Sequence, residues 1–216
     1  MNTSTARRTG GPCRLCKPSQ EPNDYTLFLR QWVRAPARMG AIAPSSRHLA
    51  EAVCAPVPER GEPVVVELGA GTGPFTAEIQ RRLGDRGRHL AIEIDPLLAR
   101  RLRHRHPGAE VIQRDAVHLR HLLDERGIAS ADVVVSGLPW ALFPPAVQHR
   151  LMDATSTVLA PTGAFTAFSY LHAVPLVAAR RFRELLDNRF EEVVPSRTVW
   201  RNTPPAFVLN ARRPRP

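Results

Sequence analysis

The stretch VVVELGAGTGPFTAEI, residues 64–79, runs a β-branched segment into a glycine-rich turn and then into a helical pattern. Its chemistry-bearing residues are Glu67, Gly69, Gly71 and Gly73 in the spacing E-x-G-x-G-x-G, with Ala70 inside the turn and Pro74 directly after it. Glycines in such a turn let main chain approach a ligand closely, and proline with its fixed φ suits the first turn of a helix. A dinucleotide fingerprint starting at Gly69 requires glycine at position 74, where this chain has Pro74. A phosphate loop requires a Gly-Lys-Ser/Thr ending, and the turn has none. Twenty residues after Gly73, the segment HLAIEID carries Glu93 followed by Ile94, where an acidic side chain accepts hydrogen bonds from ribose hydroxyls. The segment VIQRDA repeats the pattern with Asp115 and Ala116.

These residues need strands to end at the right places. Apolar, β-rich runs at 63–68, 89–94, 110–113, 132–136, 163–169, 192–200 and 206–211 supply them, and helical patterns near 74–83, 96–105, 117–126, 144–158 and 175–188 lie between. Runs such as VVVEL and DVVVS are apolar on both faces, as a sheet covered by helices on each side requires. The expected fold class is α/β, a doubly wound seven-stranded sheet. Only RNTPP separates TVW from AFVL, too short for a parallel crossover, so the last two strands are expected to form an antiparallel hairpin at one edge.

At 216 residues and 24.0 kDa the chain suits one well-buried domain. Residues 1–22 read as a disordered tail, 23–58 as N-terminal helices forming a lid, and 59–216 as the ligand-binding domain. No window offers about 20 uninterrupted apolar residues, and the N-terminus lacks the apolar core of a secretory signal, so a cytoplasmic location is expected. Cys13 and Cys16 form a C-x-x-C in the polar tail without the further ligands zinc needs. The net charge is +10, and Lys17 is the single lysine, so nearly all the basic charge is arginine. Arginine's planar fork suits an anionic partner, either nucleic acid or an acidic membrane surface, and GC-rich codon usage would give the same composition.

The strands, turn and acids resemble the class I S-adenosylmethionine-dependent methyltransferases. That resemblance implies that the turn Glu67, Gly69, Ala70, Gly71, Gly73 packs against the amino-acid end of S-adenosylmethionine. It implies that Glu93, with Ile94, binds the ribose, that Asp115, with Ala116, holds the adenine amino group, and that the product is S-adenosylhomocysteine. Ser136-Gly137-Leu138-Pro139-Trp140 is similar to the N-L-P-Y motif of rRNA adenine dimethyltransferases, with serine for asparagine and tryptophan for tyrosine. Those enzymes carry a helical domain after the sheet, for which this sequence has no residues. A resemblance to bacterial phospholipid N-methyltransferases covers more: FLRQWVRAPARMGAIAPSSRHLAEAV (28–53), the SGLPW motif and TVWRNTPPAFVLNARR. It implies methylation of phosphatidylethanolamine by an enzyme docked peripherally on the inner membrane face.

The N-terminal pattern is consistent with such docking. At about 100° per residue Tyr25, Phe28, Leu29, Trp32 and Val33 share one face, and Arg30, Arg34 and Arg38 line the opposite one. The helix either rests on an anionic membrane or covers the sheet domain. Ser46 or Ser45 reads as the N-cap of RHLAEAVC, and the histidine-rich run RLRHRHPG, 101–108, as a solvated helix face with no metal-ligand spacing.

The expected reaction is in-line displacement, in which a neutral amine attacks the methyl carbon. Its rate enhancement rests on alignment and exclusion of water. Ser136 is placed on the cofactor side. Trp140 is the expected aromatic wall for the growing cation, and Leu138 a substrate contact. Tyr25 and Tyr170 are expected polar tips, His172 a proton acceptor and Arg201 a partner for the lipid phosphate; core packing is the competing role for Trp140 and Tyr170. The expected partner is an anionic membrane surface or a phospholipid, ahead of nucleic acid. A soluble methyltransferase of a small metabolite and an RNA adenine methyltransferase remain as alternatives.

Overall fold

The computed structural model describes residues 45–215. The expected tail, the amphipathic helix with Tyr25, and the Cys13/Cys16 pair all lie outside the described residues. Within them, the order is α1 (Arg47–Val53), β1 (Val64–Leu68), α2 (Pro74–Leu83), β2 (Arg88–Ile92), α3 (Pro96–Arg105), β3 (Glu110–Ile112), α4 (Leu119–Asp124), β4 (Ala131–Ser136), α5 (Pro145–Ser156), β5 (Leu159–Tyr170), α6 (Val177–Arg189), β6 (Phe190–Pro195) and β7 (Ala206–Pro214).

The strands form one seven-stranded sheet in the order β3-β2-β1-β4-β5-β7-β6. The first five run parallel, and β7 lies antiparallel to both β5 and β6. The expected hairpin is therefore present at one edge, with β6 outermost. Its connection is longer than the sequence pattern suggests. β6 ends at Pro195, and residues 196–205 turn back with one bridge, Val199 to Ala206. Because β1 is flanked by β2 on one side and β4 on the other, the chain reverses its winding direction there, and a crevice opens beyond the carboxyl ends of those strands.

Local signals fix the helix starts that face this crevice. Gly73, at φ 94°, caps α2 in the left-handed region and Pro74 occupies its first turn. Asp95 caps α3 by accepting from the amides of Leu97 and Leu98 at 2.8 and 3.1 Å, with Pro96 again first. Ser46 caps α1 through Leu49 N–H at 3.2 Å, as the capping pattern predicts.

The sheet is buried on both faces. On one, Leu68, Ile92, Val134 and Phe165 pack with Leu119, Leu151, Trp140, Phe182 and Leu186 from the α4, α5 and α6 side. On the other, Val65, Val133, Val135 and Val208 meet Phe75, Ile79 and Leu83 of α2 together with Leu49, Val53 and Cys54 of the α1 segment. The end of the segment assigned to a lid thus belongs to the core. Complete burial of each such aliphatic side chain contributes roughly 1.5–3 kcal/mol, which anchors α1 against α2, β5 and β7.

Candidate functional site

Four strand ends build the site. The turn after β1 is tied to β2, since the Gly69 and Ala70 amides donate to the Ile92 carbonyl at 2.9 and 3.3 Å. Gly69, Gly71 and Gly73 all adopt positive φ, at 68°, 59° and 94°, a region costly to residues with a Cβ. Their surroundings differ. A Cβ on Gly69 would come 2.7 Å from Leu138 Cδ2, and one on Gly73 would come 2.7 Å from His106 Nε2. A Cβ on Gly71 would meet only the Gly69 carbonyl oxygen, at 3.8 Å, so Gly71 is the open point of the turn.

Glu93 lies at the tip of β2, 2% exposed. Its Oε2 accepts from the Gly71 amide and its Oε1 from the Asp95 amide, both at 2.8 Å. Burial pushes its carboxyl above the usual range, partly offset by the amides of Asp95, Gly71 and Ile94. Asp115 follows β3; its Oδ1 accepts from Val117 N–H at 3.1 Å, and no hydrogen bond among the described residues engages Oδ2. Ala70 and Ala116 are buried, and Ile94 is half-buried. The crevice thus presents two carboxylates at successive strand tips and an open glycine between them.

Glu67 takes a position the sequence did not assign. It is completely buried in β1, and its Oε2 accepts from Thr76 Oγ1 at 2.8 Å and sits 3.2 Å from His89 Nε2. Gln80 Nε2 lies 2.9 Å from His89 Nδ1. These contacts link Gln80, His89, Glu67 and Thr76 in one buried polar chain. Glu67 thus braces the turn through the first turn of α2. Its Oε1 is buried without a protein hydrogen-bond partner. His106, expected on a solvated face, is instead half-buried behind Gly73, and burial lowers its pKa.

After β4, the Gly137 amide donates to the Leu68 carbonyl at 2.8 Å, closing the SGLPW segment against the turn. Ser136 is completely buried, and its Oγ accepts from Trp140 Nε1 at 2.9 Å and from Leu138 N–H at 3.3 Å. Trp140 is 2% exposed, stacked on Phe182 at 4.5 Å and 13°, with Phe165 and Phe143 edge-on. The burial of Trp140 matches the competing core-packing role, and the residue also contributes to the lining of a neighbouring cavity. Packing covers the indole, and the Ser136 hydroxyl is committed to holding it.

A cavity of about 460 Å³ lies on the α6 side of this loop. Its walls include Leu138, Leu142, Phe168, Leu176, Phe207 and Leu209. Tyr170 and His172 also line it, stacked on one another at 5.5 Å and 11°. Burial pushes the Tyr170 phenol up, so it stays protonated and able to donate. Arg201 lies elsewhere. It is exposed in the β6–β7 connection with Nη1 3.3 Å from His48 Nε2 of α1, and the neighbouring Asn202 accepts from Ser46 N–H at 2.9 Å. No described hydrogen bond or ring contact joins Arg201 to Trp140, Tyr170 or His172. Sequence reasoning singled out Leu138, Trp140, Tyr170 and His172 but missed the cavity they share, because its walls come from segments about 70 residues apart.

The crevice fits an adenosyl sulfonium: the turn offers open main chain at Gly71, Glu93 and Asp115 retain acceptor capacity, and Glu67 Oε1 is a buried carboxyl oxygen without a protein partner. A methyltransferase domain model matches residues 65–163. The chain is 37% identical over 186 residues to the ornithine lipid N-methyltransferase of Singulisphaera acidiphila, covering 85% of this chain and 93% of that protein. It is 40% identical over 99 residues to ribosomal RNA small subunit methyltransferase A of Mycolicibacterium paratuberculosis, a match limited to 43% of this chain and 30% of that one. The solved N-methyltransferase NodS of Bradyrhizobium japonicum shares the fold, with a TM-score of 0.60 at 15% identity over 78% of this chain and 96% of that one. The chain belongs to the class I S-adenosylmethionine-dependent methyltransferases. Among the described residues no helix is long and apolar enough to cross a membrane.

Proposed function

We propose that the protein transfers a methyl group from S-adenosylmethionine to the amine of a membrane aminolipid. The observation that carries this reading is the 37% identity to an ornithine lipid N-methyltransferase over nearly the full length of both chains. Ornithine and ethanolamine both end in a primary amine, so an ornithine-type lipid and phosphatidylethanolamine are the two acceptors to compare. The ornithine-type lipid takes first place on that identity.

In this reading the bound cofactor supplies an activated methyl on a sulfonium, and the protein's residues supply position. The Gly69–Gly73 turn holds the methionine end, Glu93 accepts from the ribose hydroxyls, and Asp115 Oδ2 accepts from the adenine amino group. Glu67 keeps the turn rigid from behind. Tyr170 donates to the headgroup from the polar end of the cavity, and His172 takes the proton that the ammonium must lose. Arg201, free of carboxylate partners among the described residues, faces an acidic group of the lipid or its neighbours. Tight closure of the SGLPW loop on the turn excludes water at the reacting atoms, which suits a displacement whose donor is already activated.

RNA methylation receives less support. The rRNA enzymes match only the sheet half of the chain, and the Ser136 hydroxyl that would meet a base is held by Trp140. The test is label transfer from methyl-labelled S-adenosylmethionine to ornithine lipid, phosphatidylethanolamine, total RNA and small soluble amines in parallel. Label is expected in an aminolipid. Label in RNA or a small amine, with none in either lipid, overturns the proposal.

A further inference from the structure

The cavity beside the SGLPW loop adjoins the crevice through one side chain. Leu138 lines the cavity and also lies against Gly69 of the cofactor turn. Its volume of about 460 Å³ falls within the roughly 300–1,000 Å³ of small-molecule sites. The walls named above are aliphatic or aromatic, with Tyr170 and His172 as the polar groups at one end and Arg180, Arg183 and Glu184 on the α6 side. Arg183 is engaged by Asp187 at 3.2 Å.

The mouth is unusual in composition. Val174 and Leu176, between β5 and α6, and Val177, the first residue of α6, are 46%, 44% and 51% exposed, three of the six large apolar side chains most open to solvent among the described residues. Pro175 between them is exposed as well. Arg180 and Arg181 follow directly, exposed and without an ion pair among the described residues. An apolar loop followed within one helical turn by unpaired arginines matches the layering of a lipid surface, with hydrocarbon beneath anionic headgroups.

Resting on the aminolipid reading, we propose that this cavity receives one acyl chain of the substrate. The 174–177 loop dips into the bilayer and Arg180 and Arg181 rest at its headgroup level. The chain then enters from the membrane, passes under Leu138, and leaves the amine beside Tyr170 and His172 at the cofactor crevice. The cavity thereby selects acylated amines over the free headgroup. Each methylene taken out of water contributes about fourfold to affinity, so KM is expected to fall with acyl length until the cavity is full and then level off, with kcat little changed.

The test reads the cavity directly through Trp140. In the full chain carrying Trp32→Phe and Trp200→Phe, Trp140 is the single tryptophan. Vesicles of phosphatidylethanolamine and phosphatidylglycerol with brominated acyl chains are expected to quench its emission, because a chain inside the cavity brings bromine next to a tryptophan that lines it. Ala179→Phe, which fills the cavity, is expected to abolish quenching and raise KM for long-chain aminolipid about tenfold or more, while calorimetric affinity for S-adenosylmethionine is kept. Ala141→Phe, also in the cavity lining, serves if Ala179→Phe does not fold. Unquenched Trp140 alongside normal methyl transfer to lipid overturns the acyl-site proposal and leaves the aminolipid function standing. Quenching without methylation of any aminolipid supports the cavity's occupant and overturns the function.

Discussion

The two halves of the site are made differently. The cofactor half, at the tips of β1, β2 and β3, is polar and locally encoded: a turn of five residues and two acids, each held by amides within a few residues or on the adjoining strand. The acceptor half, between β4, β5, β7 and α6, is apolar and assembled from distant segments, and its polar groups are few. The first is rigid because backbone donors hold its carboxylates while leaving Asp115 Oδ2 open; the second is shaped by packing alone. Evolution of a new acceptor within such a fold can therefore alter the second half while leaving the first intact.

The sharpest way to break this contrast is Glu93→Ala. Hydrogen bonds to a charged group are each worth about 1.5–3 kcal/mol, so cofactor affinity by calorimetry should fall about 10- to 150-fold, with bromolipid quenching of Trp140 unchanged. Equal loss at both sites would show that the halves are one unit. Ser136→Ala acts on the other half. It leaves the buried Trp140 Nε1 without its acceptor, and denaturant unfolding should show a loss of about 1–3 kcal/mol.

The glycines test the seam between the halves. Ala at Gly71 meets only backbone strain of about 1–2 kcal/mol, because space is open there. Ala at Gly69 adds a collision with Leu138, so it should cost more stability and also weaken lipid methylation. Equal effects at the two positions would remove Leu138 as the shared wall.

The gentlest probe is pH. The ionised Glu93 accepts from ribose, and its pKa is raised by burial, so cofactor affinity should decline as pH falls through that raised value, above the ordinary carboxylate range. Unliganded stability carries the opposite sign. A carboxyl raised in the folded state contributes stability that is full below its unfolded pKa and lost as pH rises through the folded one. Calorimetric affinity and melting temperature measured across the acid range should thus move in opposite directions for this group, and the Glu93→Ala variant should lose both trends.

Particular residues show how much was legible. The doubly wound sheet, the edge hairpin and helices such as α2 and α3 were readable because apolar runs, the short connection before β7 and Pro74 act through neighbours in sequence. The end of β6 was not, because TVW has strand-like composition while residues 196–205 fold back through Asn202 and Ser46, more than 150 positions apart. Glu67 belonged to the right motif, but its orientation toward Thr76 and His89 depends on which strand lies beside β1.

The sequence by itself determined the cofactor class, since the spacing of a turn and two strand-end acids is a property of consecutive residues and fixed repeat lengths. Tertiary structure alone decided that Trp140 is core, that Arg201 sits on the α1 face, and that an apolar cavity opens next to Gly69. Those outcomes depend on which side chains meet across the sheet, and packing between remote segments leaves no periodic trace along the chain.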